Sequence, residues 1–129
     1  MANYEPIMRS NCFKVKNFEA FRKDIIFQEV SRITFNPKEI EKGLLLIDHD
    51  KNENEIIMLG YCSIPHWRYS EECDEYIEFD FTKLIQKHIA PDSTCELMEI
   101  GHTKLRHVTT VHYKITTSNI KETVLDVSD

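Results

Sequence analysis

The sequence predicts an α+β fold, in which two helices pack on one face of a mostly antiparallel sheet of five or six strands. The expected order of elements places a pair of adjacent strands after each helix, and such pairs usually run antiparallel. A length of 129 residues, with 41% hydrophobic and 29% charged residues, is typical of one globular domain. We therefore expect a single domain over residues 1–129, with a loosely ordered segment over residues 1–9.

The first expected elements are a strand and a helix. Residues 11–16 alternate between polar and apolar side chains, as a half-buried strand does. Asn17 then offers a side-chain acceptor for the free N–H groups at the start of a helix over residues 18–30. The buried side of this helix should carry residues near helical spacing, namely Phe18, Phe21 and Ile25.

The middle of the chain predicts a hairpin followed by a long loop. Residues 44–47 and 55–62 are apolar segments on either side of the polar loop 48–54, so they should pair as antiparallel strands. Residues 63–75 contain a proline and several aromatic residues among polar ones, which predicts an ordered loop.

A short strand and a second helix are expected before Pro91. Apolar residues alternate with acidic ones over residues 77–81, which predicts the strand. A helix over residues 81–90 should follow, with Asp80 or Thr82 as its N-cap, and should end at Pro91.

The last third predicts three strands, over residues 94–101, 105–116 and 120–127. One face of the middle strand should carry Leu105, Thr109, Val111, Tyr113 and Ile115. Over the whole chain, the side chains expected to be buried are Phe13, Val15, Phe21, Ile25, Leu46, Ile57, Phe79, Leu84, Leu97, Val111 and Tyr113.

Negative charge is concentrated in one part of the chain. The formal net charge is −6, but residues 43–81 contain ten acidic residues against Lys51 and Arg68 and carry −8, so the remainder carries +2. The densest stretch is 71–80, with six carboxylates and no basic residue. Like charges at this density repel one another and destabilise a fold unless a partner or counterion offsets them.

This stretch has two interpretations, a solvated loop that favours solubility or a docking surface for a basic partner. The second is supported by the neighbouring aromatic residues, which often anchor interfaces, and by the lack of interleaved lysines. The residues expected to bind a partner are His66, Trp67, Tyr69, Glu71, Glu72, Asp74, Glu75 and Glu78. Such a surface repels phosphates, so we expect no direct binding of nucleic acid.

The sequence predicts no metal site and no cofactor. Residues 48–52 resemble the start of a calcium-binding EF-hand loop, but Glu53 replaces the required glycine and Leu59 replaces the bidentate glutamate. His102 and His107 could approach each other across a turn, and His107 and His112 should face opposite sides of a strand. None of the six histidines belongs to a pattern with zinc-ligand spacing.

Catalysis is not expected. The sequence contains no nucleophile motif, no phosphate-binding loop and no dinucleotide-binding glycine pattern. Carboxylates are abundant, but they lack the apolar surroundings that turn one member of a pair into a general acid. An enzyme acting on a small metabolite is therefore kept only as a third alternative.

The cysteines and the apolar runs indicate a cytoplasmic protein without membrane association. Cys12, Cys62, Cys73 and Cys95 form no C-x-x-C pair, so we expect reduced thiols, two or three of them in the core; the alternative is one disulfide. Residues 1–10 carry no apolar signal-peptide region, and the longest apolar runs are too short to span a bilayer.

Several segments resemble small proteins of bacterial plasmids and conjugative elements. Four segments carry the resemblance: 10–16 (SNCFKVK), 60–65 (GYCSIP), 78–81 (EFDF) and 97–101 (LMEIG). The acidic run follows the second of them. Some small acidic proteins of such elements are anti-CRISPR or antirestriction inhibitors. The resemblance implies an origin on a mobile genetic element and carries over no catalytic residue.

The leading hypothesis is a non-catalytic inhibitor of a host-defence nuclease such as a CRISPR effector. Its acidic surface would occupy a basic nucleic-acid-binding site, where carboxylates stand in for phosphates. The alternative is a toxin-neutralising immunity protein, since such proteins are also small, acidic and α+β. A nucleic-acid mimic should carry its carboxylates along one ridge, whereas an immunity protein need only match one toxin pocket. The sequence favours no particular oligomeric state.

Overall fold

The computed structural model describes residues 4–30, 32–104 and 106–128, and these form two helices and ten strands. The strands are β1 (Tyr4–Ser10), β2 (Phe13–Lys14), β3 (Ile33–Thr34), β4 (Leu45–Asp50), β5 (Glu55–Gly60), β6 (Trp67–Ser70), β7 (Glu75–Glu78), β8 (Cys95–Thr103), β9 (His107–Ile115) and β10 (Ile120–Ser128). The helices are α1 (Phe18–Phe27) and α2 (Phe81–His88), and Pro37–Glu39 form one 3-10 turn.

Eight strands form one sheet in the order β10-β9-β8-β1-β5-β4-β3, with β2 also paired to β5. The described pairs are antiparallel except β3–β4, and β6 and β7 form a separate antiparallel hairpin. The α+β class with two helices and a mostly antiparallel sheet is therefore confirmed. The expected number of five or six strands is wrong, because β1 and β3 give no clear alternation signal in the sequence and β6 lies in a segment whose proline and polar residues predict a loop.

Strand β1 lies inside the sheet, which corrects the expectation of a loosely ordered segment over residues 1–9. Residues 4–9 belong to β1, and residues 1–3 lie outside the described part. β1 pairs with β8 along its whole length but with β5 only at Met8 and Arg9. Pro6 therefore falls where β1 has a neighbour on one side only, the kind of position at which sheets tolerate proline. Opposite Pro6 is Gly101, where the Tyr4 ring occupies the space of a side chain.

Helix α1 begins as the sequence predicts and ends earlier. The Asn17 side chain accepts a hydrogen bond from the Ala20 N–H (2.9 Å), which satisfies one free donor of the first turn. The helix stops three residues before the expected end, because Glu29 adopts a left-handed φ of 52° and Val30 pairs with Arg68. Its buried residues are those expected, Phe18, Phe21 and Ile25.

Helix α2 starts at an aspartate cap. The Asp80 carboxylate accepts hydrogen bonds from the N–H groups of Thr82 (3.1 Å) and Lys83 (3.3 Å). Of the two residues expected as possible N-caps, Asp80 is therefore the one that caps the helix. The helix ends at His88, three residues before Pro91. Its buried residues are Phe81, Thr82, Leu84 and Ile85.

A polar contact joins the two helices. Asp24 of α1 accepts hydrogen bonds from Lys87 Nζ (3.0 Å) and His88 Nε2 (2.6 Å) of α2. Burial acts to raise the pKa of Asp24, but the hydrogen bonds from His88, Lys87 and Gln28 outweigh it and hold this pKa below its usual value. The contact fixes one helix against the other.

Most of the buried side chains of the sheet lie on the face that the helices cover. Strand register places Ile47 opposite Met58 and Cys95 opposite Ile115 on this face. One cluster contains these side chains together with the buried apolar residues of both helices. We call the opposite side of the sheet its open face.

The predicted hairpin and the C-terminal strands are confirmed. β4 and β5 pair antiparallel, and β8, β9 and β10 follow one another as antiparallel neighbours. Strand register places Thr109, Val111, Tyr113 and Ile115 on one face, whereas Leu105 lies outside the described residues. His112 lies on the open face and His107 on the other, as expected.

Seven of the side chains expected to be buried are buried, namely Phe13, Val15, Phe21, Ile25, Leu46, Leu84 and Leu97. Ile57, Phe79, Val111 and Tyr113 are only half-buried, which corrects the expectation for them. In β5 every position from 56 to 59 is apolar, so alternation cannot select the inner face, and Ile56 and Met58 occupy it. The other three side chains lie beside a cleft described below.

Candidate binding surface

The candidate site is built on the hairpin of β6 and β7, which we call the acidic hairpin (residues 67–78). The sequence predicts a loop over residues 63–75, and this is corrected because residues 67–70 form β6 and pair with β7. The hairpin is attached to the chain segment after α1: the Tyr69 N–H donates to the Glu29 carbonyl (3.3 Å), and Arg68 pairs with Val30. Its base is closed by a bond from the Phe79 N–H to the His66 carbonyl (2.9 Å).

One face of the acidic hairpin is aromatic. Register places Trp67 opposite Glu78 and Tyr69 opposite Tyr76, so these four side chains share a face. The Tyr69 and Tyr76 rings meet edge to face with centroids 5.7 Å apart, and the His66 ring lies 5.3 Å from Trp67. Trp67 is 45% and Tyr76 63% exposed. Large aromatic surface is therefore left in contact with water.

The end of the hairpin carries the acidic tip, which we define as Glu71, Glu72, Asp74 and Glu75. All four are exposed. Asp74 adopts a left-handed φ of 54° and accepts a hydrogen bond from the Tyr69 hydroxyl, which raises the pKa of Tyr69. The turn thus holds one carboxylate against the aromatic face, while the other three are exposed to solvent.

The structure brings all the predicted site residues together in this hairpin or next to it. Glu75 and Glu78 project from opposite faces of β7, because they are three residues apart on a strand. The carboxylates of the acidic hairpin therefore do not all lie on one face.

A cleft of about 1000 Å³ adjoins the base of the hairpin. Its walls come from residues 63–66, the start of α2 and the inner face of β1, β8, β9 and β10. Apolar lining comes from Ile64, Phe79, Val111 and Ile120. Carboxylates lining it are Glu78, Asp80, Glu99 and Glu122, and Lys83 is the one lysine or arginine among its described lining residues.

The Glu99 carboxylate is held at a fixed position in the cleft. It accepts hydrogen bonds from the Tyr4 hydroxyl (2.8 Å) and the Ile64 N–H (2.6 Å). Burial, the bond to Glu99 and the nearby negative charges raise the pKa of Tyr4 to about 12. The pKa of Tyr113 is also raised, by burial first and then by the charges of Glu122, Asp80 and Glu99. The cleft is therefore an environment of negative potential.

Sequence reasoning missed the part of the cleft formed by the sheet. Glu99 occupies an inward-facing position of β8, in line with the buried Cys95 and Leu97. The sequence signal that could have revealed Glu99 is a charged residue at an inward-facing strand position, between Leu97 and Gly101 on the same face. Tyr4 and Glu122 join it only through strand pairing, which no local pattern predicts.

The other chemical features of the chain are its potential metal ligands, its helices and its cysteines. Within the described residues, no three histidine, cysteine or acidic side chains are grouped as a metal site would require, and no helix is long and apolar enough to cross a membrane. All four cysteines are free thiols; Cys62 and Cys95 are buried, and Cys12 and Cys73 are exposed. Residues 51–54 form the turn between β4 and β5.

Comparison with protein-family models, with curated proteins and with solved structures finds no match for this chain.

Proposed function

We propose that the protein is a non-catalytic binding protein whose acidic hairpin and adjoining cleft bind a basic surface of another protein. The observation that carries this proposal is the presence of exposed aromatic residues and the acidic tip on one anchored hairpin. At interfaces, aromatic side chains supply much of the affinity, and complementary charge directs approach and orientation. Because strand pairing already orders the hairpin, it loses little conformational freedom on binding.

The specific function that we propose is inhibition of a host-defence nuclease, of the anti-CRISPR or antirestriction type. A groove of lysine and arginine side chains that holds nucleic acid would accept the carboxylates of the acidic tip in place of phosphates. Occupying the groove is sufficient to block the nuclease, so this mechanism needs no turnover.

A toxin-neutralising immunity protein is the second candidate, and the shape of the acidic tip supports it. Its four exposed carboxylates all lie within residues 71–75, so they form a compact knob at the end of the hairpin. A knob can fill one basic pocket, which is what an immunity protein requires.

Charge reversal at the acidic tip tests the proposal. The tip variant carries Glu71→Lys, Glu72→Lys, Asp74→Lys and Glu75→Lys, and a matched control carries Glu19→Lys, Glu41→Lys, Glu53→Lys and Asp92→Lys at exposed positions elsewhere. Each reversal adds two positive charges, so both variants change the formal net charge from −6 to +2. Each protein is used to capture partners from bacterial lysate, and the captured proteins are quantified by mass spectrometry.

We expect the unmodified protein and the control to capture the same basic protein and the tip variant to lose it. The stability of the tip variant should hold or rise, because self-repulsion is relieved. The Trp67→Ala change should weaken affinity for that partner by about 2 kcal/mol, roughly 30-fold, if the ring is an anchor. Equal capture by the tip variant and the control would show that the acidic tip is only solvated. The captured protein's own activity, as nuclease or toxin, separates the two candidates.

A further inference from the structure

Strand β10 is a long edge of the sheet, and no described residue pairs with its outer side. It pairs with β9 through nine consecutive residue pairs and contains no proline. The opposite edge, β3, is only two residues long. Proteins usually protect long sheet edges, because exposed N–H and C=O groups readily pair with another strand.

Every second residue of β10 directs its backbone groups outward. The Thr116 N–H donates to the Asn119 carbonyl (2.9 Å), so these residues form a hydrogen-bonded pair at the closed end of the β9–β10 ladder. Bonded and non-bonded pairs alternate along an antiparallel ladder. Leu125 therefore bonds to β9, whereas the groups free to bond outward belong to Glu122, Val124, Asp126 and Ser128.

Apolar side chains accompany this edge. Val124, Leu125 and Val127 are 52%, 63% and 58% exposed. On the open face, strand register aligns Leu125 with Thr110 of β9, Ile100 of β8 and Ile7 of β1. These four aligned side chains form a largely apolar row across the open face, and the row ends at Leu125 on the edge strand.

We propose that β10 pairs with β10 of a second copy of this chain, antiparallel about a two-fold axis at Leu125. In this register Leu125 faces the same residue of the second copy, and Thr123 faces Val127. The open-face rows of the two copies then meet at the axis and form one continuous row. Outward-directed residues oppose one another, as hydrogen bonding requires, with Val124 facing Asp126 and Glu122 facing Ser128.

Charge and side-chain polarity favour this register, and its self-complementarity favours a second copy as the partner. Moving the axis to Val124 would place Glu122 opposite Asp126 of the second copy, and like charges directly opposite each other are destabilising. Moving it to Thr123 would place the apolar Leu125 opposite the charged Lys121 of the second copy. A two-fold interface uses the same patch on both subunits, so the patch must be complementary to itself. With the axis at Leu125, β10 meets this requirement, because no acidic residue opposes another.

The mass of the full chain, measured by sedimentation equilibrium over a concentration series, tests the proposal. The unmodified protein should approach twice the chain mass as concentration rises. Leu125→Lys and Leu125→Glu should each remain monomeric, because two like charges then meet at the axis. An equal mixture of the two variants should recover the dimer, because an ammonium and a carboxylate then face each other.

Two controls separate edge pairing from other modes of association. Phe27→Lys, at an 82% exposed position at the end of α1, should remain dimeric. Ile7→Lys should also remain dimeric, because Ile7 lies on the open face three strands away from the edge. Circular dichroism tests whether each variant is folded.

The proposal would be overturned by a monomeric unmodified protein, by a mixture of the two Leu125 variants that stays monomeric, or by loss of the dimer in Ile7→Lys. These results do not depend on the function proposed for the acidic hairpin.

Discussion

Replacing Asp24 by alanine should destabilise the protein by about 2 kcal/mol, because its carboxylate joins α1 to α2. The side chains of Asp24 and His88 are each 11% exposed, so their contact is largely shielded from water. Losing a hydrogen bond to a charged group in such a place costs about 1.5–3 kcal/mol. The contact with Lys87, whose side chain is 65% exposed, adds only about 0–1 kcal/mol because water screens it.

Thermal and urea unfolding followed by circular dichroism measure this loss. For a domain of this size, about 2 kcal/mol corresponds to a fall in Tm of roughly 6–12 °C. Asp92→Ala, at an exposed position outside the contact, is the control and should change stability by no more than about 0.5 kcal/mol. An unfolding free energy of Asp24→Ala equal to that of this control would contradict a stabilising role for the contact.

The same contact predicts a pH dependence. The pKa of Asp24 is lower in the folded protein than its ordinary value, so the folded state favours the ionised carboxylate. Its contribution to stability is therefore complete above the unfolded pKa of about 3.9 and is lost as pH falls through the folded pKa. The stability difference between the unmodified protein and Asp24→Ala should be constant near neutral pH and shrink below about pH 4. A difference that grows in acid would show the opposite linkage.

Three further outcomes test the fold and its chemistry. Asp80→Ala should lower the free energy of unfolding by about 1 kcal/mol, since it removes the N-cap of α2, and no change by urea unfolding would contradict that role. A thiol reagent should label Cys12 and Cys73 in the native protein but label Cys62 and Cys95 only after unfolding, because burial shields the latter and raises their pKa values to about 11 and 12. A chelator should leave Tm unchanged, and a fall of several degrees would reveal a structural metal.

Sequence patterns predicted the elements whose signals are local. The cap at Asn17 and the three C-terminal strands follow from side-chain type and alternation within a few residues. The charge density of residues 71–80 likewise marks the candidate surface without any structure. These features depend on neighbours in the chain, which the sequence displays directly.

Features created by long-range pairing were not predictable in this way. β1 contains Pro6 and is stabilised by β8, more than 80 residues away, so its own pattern does not mark it as a strand. The cleft beside the acidic hairpin depends on Tyr4, Glu99 and Glu122, which meet only when β1, β8 and β10 enter one sheet. The hairpin itself was not predicted, because β6 has only four residues and its alternation was outweighed by Pro65 and the many polar residues of the segment.

Competition for the partner's basic site tests the proposed binding mode most directly. A labelled nucleic-acid duplex is bound to the partner recovered by capture, and its fluorescence anisotropy is followed as this protein is added. The unmodified protein should release the duplex, and release should weaken as salt rises, because exposed charges are screened within about 8–10 Å at physiological ionic strength. The tip variant should fail to release it, while the matched control should succeed. If the partner binds this protein and the duplex together, or if the tip variant releases the duplex equally well, the acidic hairpin does not occupy that site.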